Sequence, residues 1–467
     1  MQHRTKPDHT LINLVNEFEI KSGLGSAILL GEKDYSLLIK YYEQEFNFDK
    51  ALEVSGLALE QYSYTPDFYI VHARLLLKIQ NPEEALESIE KAAVVSPNEK
   101  EVLLLKARIL CNLSRHSEAL EITQSLLSSN IPFDLSEILL CEAYIFESMK
   151  DYNGMYRTLK NVLTMNPSNK EALERMWISV ELSRNFDDSV IFHKSLVDED
   201  PFSSKAWYNL GHAYSCLGEY DKGIEALEYA IAIDSEFEMA YLDCSELCYQ
   251  IGYYTKALQL YEEIMRIFGE DEELLVSLGS CYFYLGGHKK AKKILRKASR
   301  LDPYNDETYF FLGECERKEG LYKEAIKLYK KAIRIESRRE EYYSGLASCF
   351  VKTEDHTMAD HYFRKATEIG PERHEIWLDH VKFLIGIGEY HIALEVLDEA
   401  EFSTVSNDLV YSRAIVLFWL QKKSDAIKYL EEALNDDFAN YPIIFDISPN
   451  MKFNETVISM IKYFKPE

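Results

Sequence analysis

Long apolar runs are missing from this 467-residue chain. No stretch of ~18 consecutive apolar residues occurs, so no membrane-spanning helix is expected. Met1 to Ile20 carries charges throughout and lacks an apolar core of leader-peptide length, so no signal peptide is expected. Glycine (19) and proline (12) are scarce, which excludes a collagen-like chain and fits packed helices better than disorder. The eight cysteines form no short, loop-rich framework. A reducing, cytoplasmic compartment is therefore the expectation. Cations are outnumbered: 52 Lys and Arg stand against 78 Asp and Glu, a formal net charge of -26. Such a charge keeps an extended molecule in solution and disfavours non-specific nucleic-acid binding.

Signatures of catalysis are missing as well. Gly23-Leu24-Gly25 is no phosphate loop, because no strand precedes it and neither a third glycine nor Lys-Ser/Thr follows. Asp355, His356, Asp360 and His361 cluster, but the two histidines are five apart and fall on different faces of a helix. No nucleophile–base pair can be assigned from spacing. The chain is read as no enzyme, with no cofactor and no metal.

What is present is a period. Ala51, Ala85 and Ala119 are 34 residues apart, as are Pro167 and Pro201, and as are Cys281, Cys315 and Cys349. Such a period is the signature of a helical-repeat array. It overrides the ~150-residues-per-domain prior, because a repeat protein grows in one dimension without splitting into separate cores. The three cysteines share one small-residue slot inside helices and read as buried thiols. Disulfides between them are not expected: packed helices stand ~8–10 Å apart, and a bridge needs Cα atoms within ~7 Å.

Each unit has a large residue, a small residue four later, a turn, and then two alanines seven apart. The clearest gives Trp207, Leu210, Gly211 and Tyr214, then Gly223, Leu227 and Ala230. Small residues at Gly211, Gly279, Gly313 and Ala347 would let two antiparallel helices approach closely, and apolar residues at three- and four-residue spacing form the packed faces. Leu217-Gly218-Glu219-Tyr220 and Ile387-Gly388-Glu389-Tyr390 read as turns between helices. Pro97, Pro167, Pro201, Pro303 and Pro371 end second helices. Trp177 falls in the small slot of its unit and should push two helices apart, and Met155 stands where alanine is usual.

The pattern Trp207-x-x-Leu210-Gly211-x-x-Tyr214, with alanine and proline at fixed offsets, resembles the tetratricopeptide repeat (TPR). The resemblance covers roughly residues 32–437, and Pro201 to Asp234 is close to the family consensus. The whole chain resembles long cytoplasmic TPR proteins of Bacteroidetes-type bacteria. It implies an all-α, right-handed solenoid of about eleven to twelve helix pairs. Residues 1–31 read as an N-terminal lead-in with a leading helix over 1–22, 32–437 as the tandem array, and 438–467 as a C-terminal cap. Within the cap, Asp436 to Pro449 reads as a loop and Asn450 to Phe464 as an amphipathic helix.

The resemblance also implies a non-enzymatic scaffold or adaptor that holds an extended protein segment against its first helices, which line the inner groove. By frame the inward positions in mid-array are Tyr208, Asn209, His212, Leu242, Asp243, Glu246, Tyr249, Val276, Tyr284, Phe310, Phe311, Glu314 and Arg317. Aromatics with a polar handle suit a peptide site, although the same residues also pack ordinary cores. The clamp that one TPR subtype uses for chaperone C-termini is absent in this frame. Asn209 fits its middle repeat, but Glu174, Ile178, Met239 and Asp243 occupy the flanking positions.

Acidic residues recur near each unit's start: Asp67, Glu101, Glu137, Glu171, Glu273, Glu307, Glu341, Glu375 and Asp408. They suit helix N-termini, where a carboxylate is favoured by ~0.3–1 kcal/mol, or an acidic ladder that selects basic partners. From Lys289 to Arg339 the balance reverses, with 16 Lys/Arg against 8 Asp/Glu. That net of +8 leaves -34 on the rest of the chain. Lys289, Lys290, Lys293, Arg296, Lys297 and Arg300 form its core, on a second helix that should face the convex side. This run is a solvated face or a contact for RNA, the ribosome or an anionic membrane. No RNA-binding motif accompanies it. A protein partner in the groove is the first reading; the basic helices as an adaptor surface are the second.

Overall fold

The computed structural model describes residues 9–24, 28–128 and 134–465. Every regular element among them is a helix. Twelve antiparallel pairs run from Glu32–Gln44 with Phe48–Gln61 to Asn407–Trp419 with Lys423–Asp436. The period therefore reads the architecture correctly. The acidic residues that recur in the sequence all fall in the first turn of a first helix, where they meet the positive end of the helix dipole.

The turn inside each pair explains why the repeat needs a particular conformation more than a particular residue. All twelve turns place one residue at positive φ. Glycine holds five of these positions (Gly218, Gly252, Gly286, Gly320, Gly388), and Phe46, Gln80, Ser114, Lys150, Arg184, Glu354 and Gln421 hold the rest. In eleven turns the next amide reaches back five residues, as Glu219 N–H does to the Tyr214 carbonyl at 3.0 Å. This is the closing bond of a Schellman cap. A left-handed non-glycine residue costs ~1–2 kcal/mol, which makes glycine the cheap solution but not an obligatory one.

The small slots do what close helix packing requires. A Cβ on Gly279 would stand 2.5 Å from Leu295, and one on Gly211 would stand 2.8 Å from Leu227, in each case on the pair's own second helix. The alanines seven apart, such as Ala291/Ala298 and Ala325/Ala332, are fully buried. Trp177 breaks the rule. Its helix, Lys170–Ser183, packs only sparsely on its own partner, Phe186–Glu199, and leans on the next first helix, Ser204–Cys216. The indole stays half-buried, edge-on to His212 at 5.6 Å. Here the turn closes through the simpler bond from Arg184 N–H to the Val180 carbonyl, 2.9 Å.

The packing divides the chain into two compact units, 1–240 and 241–467. In the first, the leading helix His9–Gly23 lays Val15 and Phe18 on Tyr35, Leu38 and Tyr42. Residues 1–8 of the expected leading helix, and Gly25, lie outside the described residues. In the second unit the end differs from the sequence reading. The stretch read as a loop holds a 3₁₀ turn, Phe438–Asn440, and a short helix, Ile443–Ile447. Ile444 and Ile447 are buried in the same core as Leu417 and Leu434, which gives these residues a reason to coil. The final helix is Glu455–Tyr463, not 450–464. A 3₁₀ turn beginning at Pro449 occupies the preceding residues, and Asn454 caps the helix by accepting from Thr456 and Val457 N–H.

All eight cysteines are free, and all but Cys216 are buried. Burial pushes the thiols of Cys281, Cys315 and Cys349 up to about 12. Since the thiolate is the reactive form, these three should label slowly with a maleimide in the native protein and fully after denaturation. Rapid native labelling of all three would show that their slot is open.

Candidate protein-binding surface

A pair of helices buries the faces it turns to its neighbours and leaves one face of each first helix uncovered. In the second unit this face forms an open recess of about 300 Å³ across three successive first helices, Asp306–Lys318, Glu340–Lys352 and His374–Ile387. The middle helix presents Glu341, Ser344, Gly345 and Ser348, while Phe310, Glu314 and Arg317 stand on one side and Arg373, Glu375, Ile376 and Asp379 on the other. The recess exists because small side chains lie between large ones.

Its charges are unevenly satisfied. Arg317 donates from Nε and Nη2 to the two oxygens of Glu314, at 3.0 and 2.5 Å. The buried Tyr329 hydroxyl donates to Glu314 Oε1 at 2.5 Å, and burial, reinforced by the Glu314 charge, drives the phenol's pKa well above its ordinary value. Arg373 donates to Glu340 at 2.7 Å. Glu341 and Asp379 form no ion pair among the described residues. The surrounding protein raises the Asp379 carboxyl above its usual range, although water reaches the side chain.

The first unit carries a larger recess, about 470 Å³, across the first helices between Pro66–Lys78 and Lys170–Ser183. Leu104, Leu105 and Leu140 line it with Arg74, Lys100, Arg108, Glu101, Glu137 and Glu171. Arg74 pairs with Glu101 at 2.8 Å, and Lys100 pairs with Glu137. The guanidiniums of Arg108 and Arg175 both lie over the Tyr144 ring, 6.0 and 5.9 Å from its centroid. Glu101, Glu137 and Glu171 belong to the acidic series read from the sequence; the other lining residues were not singled out. Their signal is positional: Arg74 and Arg108 stand 34 apart, as do Glu137 and Glu171.

The positions named from sequence divide between the units. Tyr208, Asn209 and His212 lie in the first. Tyr208 and Asn209 are buried and offer no open surface, a correction to their assignment as groove residues. Phe237, standing where other units place a capping Ser, Asp or Asn, lays its ring 5.1 Å from that of Tyr208. Asn209 donates to the Leu173 carbonyl at 3.0 Å. His212 is half-buried, with Glu181 at 3.6 Å.

In the second unit Leu242 and Glu246 are exposed and Asp243 is half-buried. Tyr249 and Tyr284 pack edge to face at 5.9 Å, and Tyr254 stacks on Tyr284 at 4.4 Å. Phe310 and Arg317 are half-buried in the recess wall. Glu314 is largely buried and bound by its partners, and Val276 and Phe311 are buried. As contact residues Val276 and Phe311 are corrected too, while Glu314 keeps a place in the recess wall.

Lys289, Lys290, Lys293, Arg296, Lys297 and Arg300 are all exposed on the second helix His288–Leu301. Lys297 pairs with Glu270 at 2.6 Å, Arg296 meets Glu316 at 3.4 Å, and Lys290 covers the Tyr282 ring. Lys289, Lys293 and Arg300 form no ion pair among the described residues. Also among the described residues, no group of three His, Cys, Asp or Glu is placed to hold a metal, and no helix is long and apolar enough to cross a membrane.

A stack of helix pairs with one face uncovered defines a helical-repeat solenoid. Residues 70–133, 204–237 and 340–373 match family models of the tetratricopeptide repeat. These three stretches therefore match the tetratricopeptide repeat, a repeat type characteristic of protein–protein interaction scaffolds. Residues 250–332 match the model described as anaphase-promoting complex, cyclosome, subunit 3. No curated protein matches the sequence. Similar solved structures include yeast Tom70, 15% identical, with 93% of this chain and 96% of that one covered at a TM-score of 0.43. The Cut9-Hcn1 hetero-tetramer of APC/C is 13% identical, with 97% and 95% covered at 0.40. A tetratricopeptide repeat protein from Parabacteroides merdae is 16% identical, with 54% and 98% covered at 0.42.

Proposed function

We propose that the protein is a non-enzymatic scaffold that binds an extended segment of another protein along its first-helix face. The observation that carries this reading is the recess walled by Phe310 and floored by Ser344, Gly345 and Ser348, an uncovered hollow where consecutive repeats meet. Half-buried aromatics supply affinity, and the acidic first turns along the edge supply selectivity. We place the scaffold in the cytoplasm, like the long Bacteroidetes-type TPR proteins that its sequence resembles. Ser344→Trp fills the hollow from a half-buried position and should weaken partner capture at least about tenfold, within the range of interface hot spots, while leaving helicity unchanged. Undiminished capture by a folded Ser344→Trp protein would move binding away from this face.

One observation favours a second reading, in which the basic helix docks on RNA, the ribosome or an anionic membrane: six exposed cations on a helix without an acid. Lys289→Glu, Lys293→Glu and Lys297→Glu together separate the two. On the first reading, capture by the triple variant stays within about twofold of wild type, since exposed pairs contribute little. On the second, association is abolished, and wild-type binding falls steeply with salt as neutralised phosphates release counterions.

A further inference from the structure

We infer that the recess of the second unit takes a lysine or arginine side chain of the bound segment, its aliphatic stem along Phe310 and its cation between Asp379 and Glu341. The inference rests on the scaffold reading and specifies the chemistry of the partner.

The geometry carries it in three steps. The small floor of Ser344, Gly345 and Ser348 leaves a hollow of about 300 Å³, at the lower end of the ~300–1,000 Å³ range of ligand pockets. One wall is an aromatic ring, against which a long alkyl stem packs while its charged end stays wet. The remaining walls carry more negative charge than their own cations neutralise. Arg317 would be the natural counter-ion of Asp379, but Glu314 holds it through two donors, and Tyr329 holds Glu314 in turn. Arg373, which also lines the recess, pairs with Glu340 at 2.7 Å and lies 4.0 Å from Glu375. Asp379 and Glu341 thus line the hollow without an ion pair of their own among the described residues. Burial raises the Asp379 carboxyl, and nearby Lys382 and Arg317 offset this only in part. A cation entering from another chain supplies what the fold withholds, and an acidic segment would meet repulsion.

The test uses a fluorescein-labelled nonapeptide of three Ala-Lys-Leu repeats and its counterpart with Glu in place of Lys, followed by anisotropy on the full-length protein. The lysine peptide should bind at least about tenfold more tightly than the glutamate peptide, the range of a close charge pair. Asp379→Asn with Glu341→Gln should remove at least about tenfold of that affinity. Glu395→Gln with Glu399→Gln removes the same charge from an exposed second-helix face and should change it by less than about twofold. Ser344→Trp should abolish binding. Equal affinity for the two peptides, no binding of the lysine peptide, or equal losses in the two charge-removed variants would overturn the inference. Loss in Ser344→Trp without loss in Asp379→Asn/Glu341→Gln would overturn the cation site and leave the scaffold reading standing. Persistence in Ser344→Trp would remove both.

Discussion

Replacing Tyr329 with alanine is expected to cost ~3–5 kcal/mol, the range for losing a large buried ring. The ring is fully buried. It fills the space opposite two helical glycines, where a Cβ on Gly313 would stand 3.2 Å away and one on Gly345 2.8 Å away. Its hydroxyl also satisfies the largely buried Glu314 carboxylate. The alanine variant loses the packing and the donor together. Tyr329→Phe keeps the ring and should cost only the ~1–3 kcal/mol of an unsatisfied buried acceptor. Each repeat touches only its neighbours, so the damage should stay local. Hydrogen exchange should accelerate in residues 306–369 and stay unchanged in 32–128. A loss below about 1 kcal/mol, or acceleration spread evenly along the chain, would contradict this packing.

Mild acid should loosen the repeat around His193. The ring is completely buried. Its Nδ1 lies 2.9 Å from the Ser189 carbonyl, which can only accept, so Nδ1 carries the proton and Nε2 faces no partner among the described residues. Burial, reinforced by nearby Lys160 and His212 and opposed by the Ser189 bond and Asp188, pushes its pKa down to about 4. A histidine held neutral in the fold stabilises fully above its unfolded pKa of ~6.5 and loses that contribution as pH falls toward 4. The difference corresponds to about 3 kcal/mol at ~1.4 kcal/mol per pH unit. Between pH 7.5 and 4.5 the wild type should lose more stability than His193→Gln, which has nothing to titrate there. Parallel stability curves for the two would show that His193 carries no such burden.

The architecture was legible because packing constraints repeat. Gly279 and Gly313 are small for the same reason, and Ala291 and Ala325 pack against the same kind of neighbour. Trp177 could be read as a wedge because its slot was known from the other units. The binding face was less legible. Tyr208, Leu242, Phe310 and Ser344 share one position of the frame, yet Tyr208 is 3% exposed and Leu242 43%. The frame tells which face a residue stands on. It does not tell whether a neighbour such as Phe237 folds over it. The recess likewise arises from a contrast between units, serines and glycine beside phenylalanine and aspartate, and no single unit's pattern contains it. The final helix was legible apart from its start, but the short helix Ile443–Ile447 was missed because the period had ended and tertiary burial of Ile444 and Ile447 holds it.

Site-specific photo-crosslinking tests the central claim most directly. A benzophenone side chain placed at Ser344, in the recess, is compared with one at Ser299, on the basic second helix. Both variants are irradiated in the native cytosol, and the attached peptides are sequenced. Reproducible attachment of one extended segment at Ser344, and none at Ser299, is the predicted result. Attachment at Ser299 with an unlabelled Ser344 would contradict the account and make the basic helix the working surface.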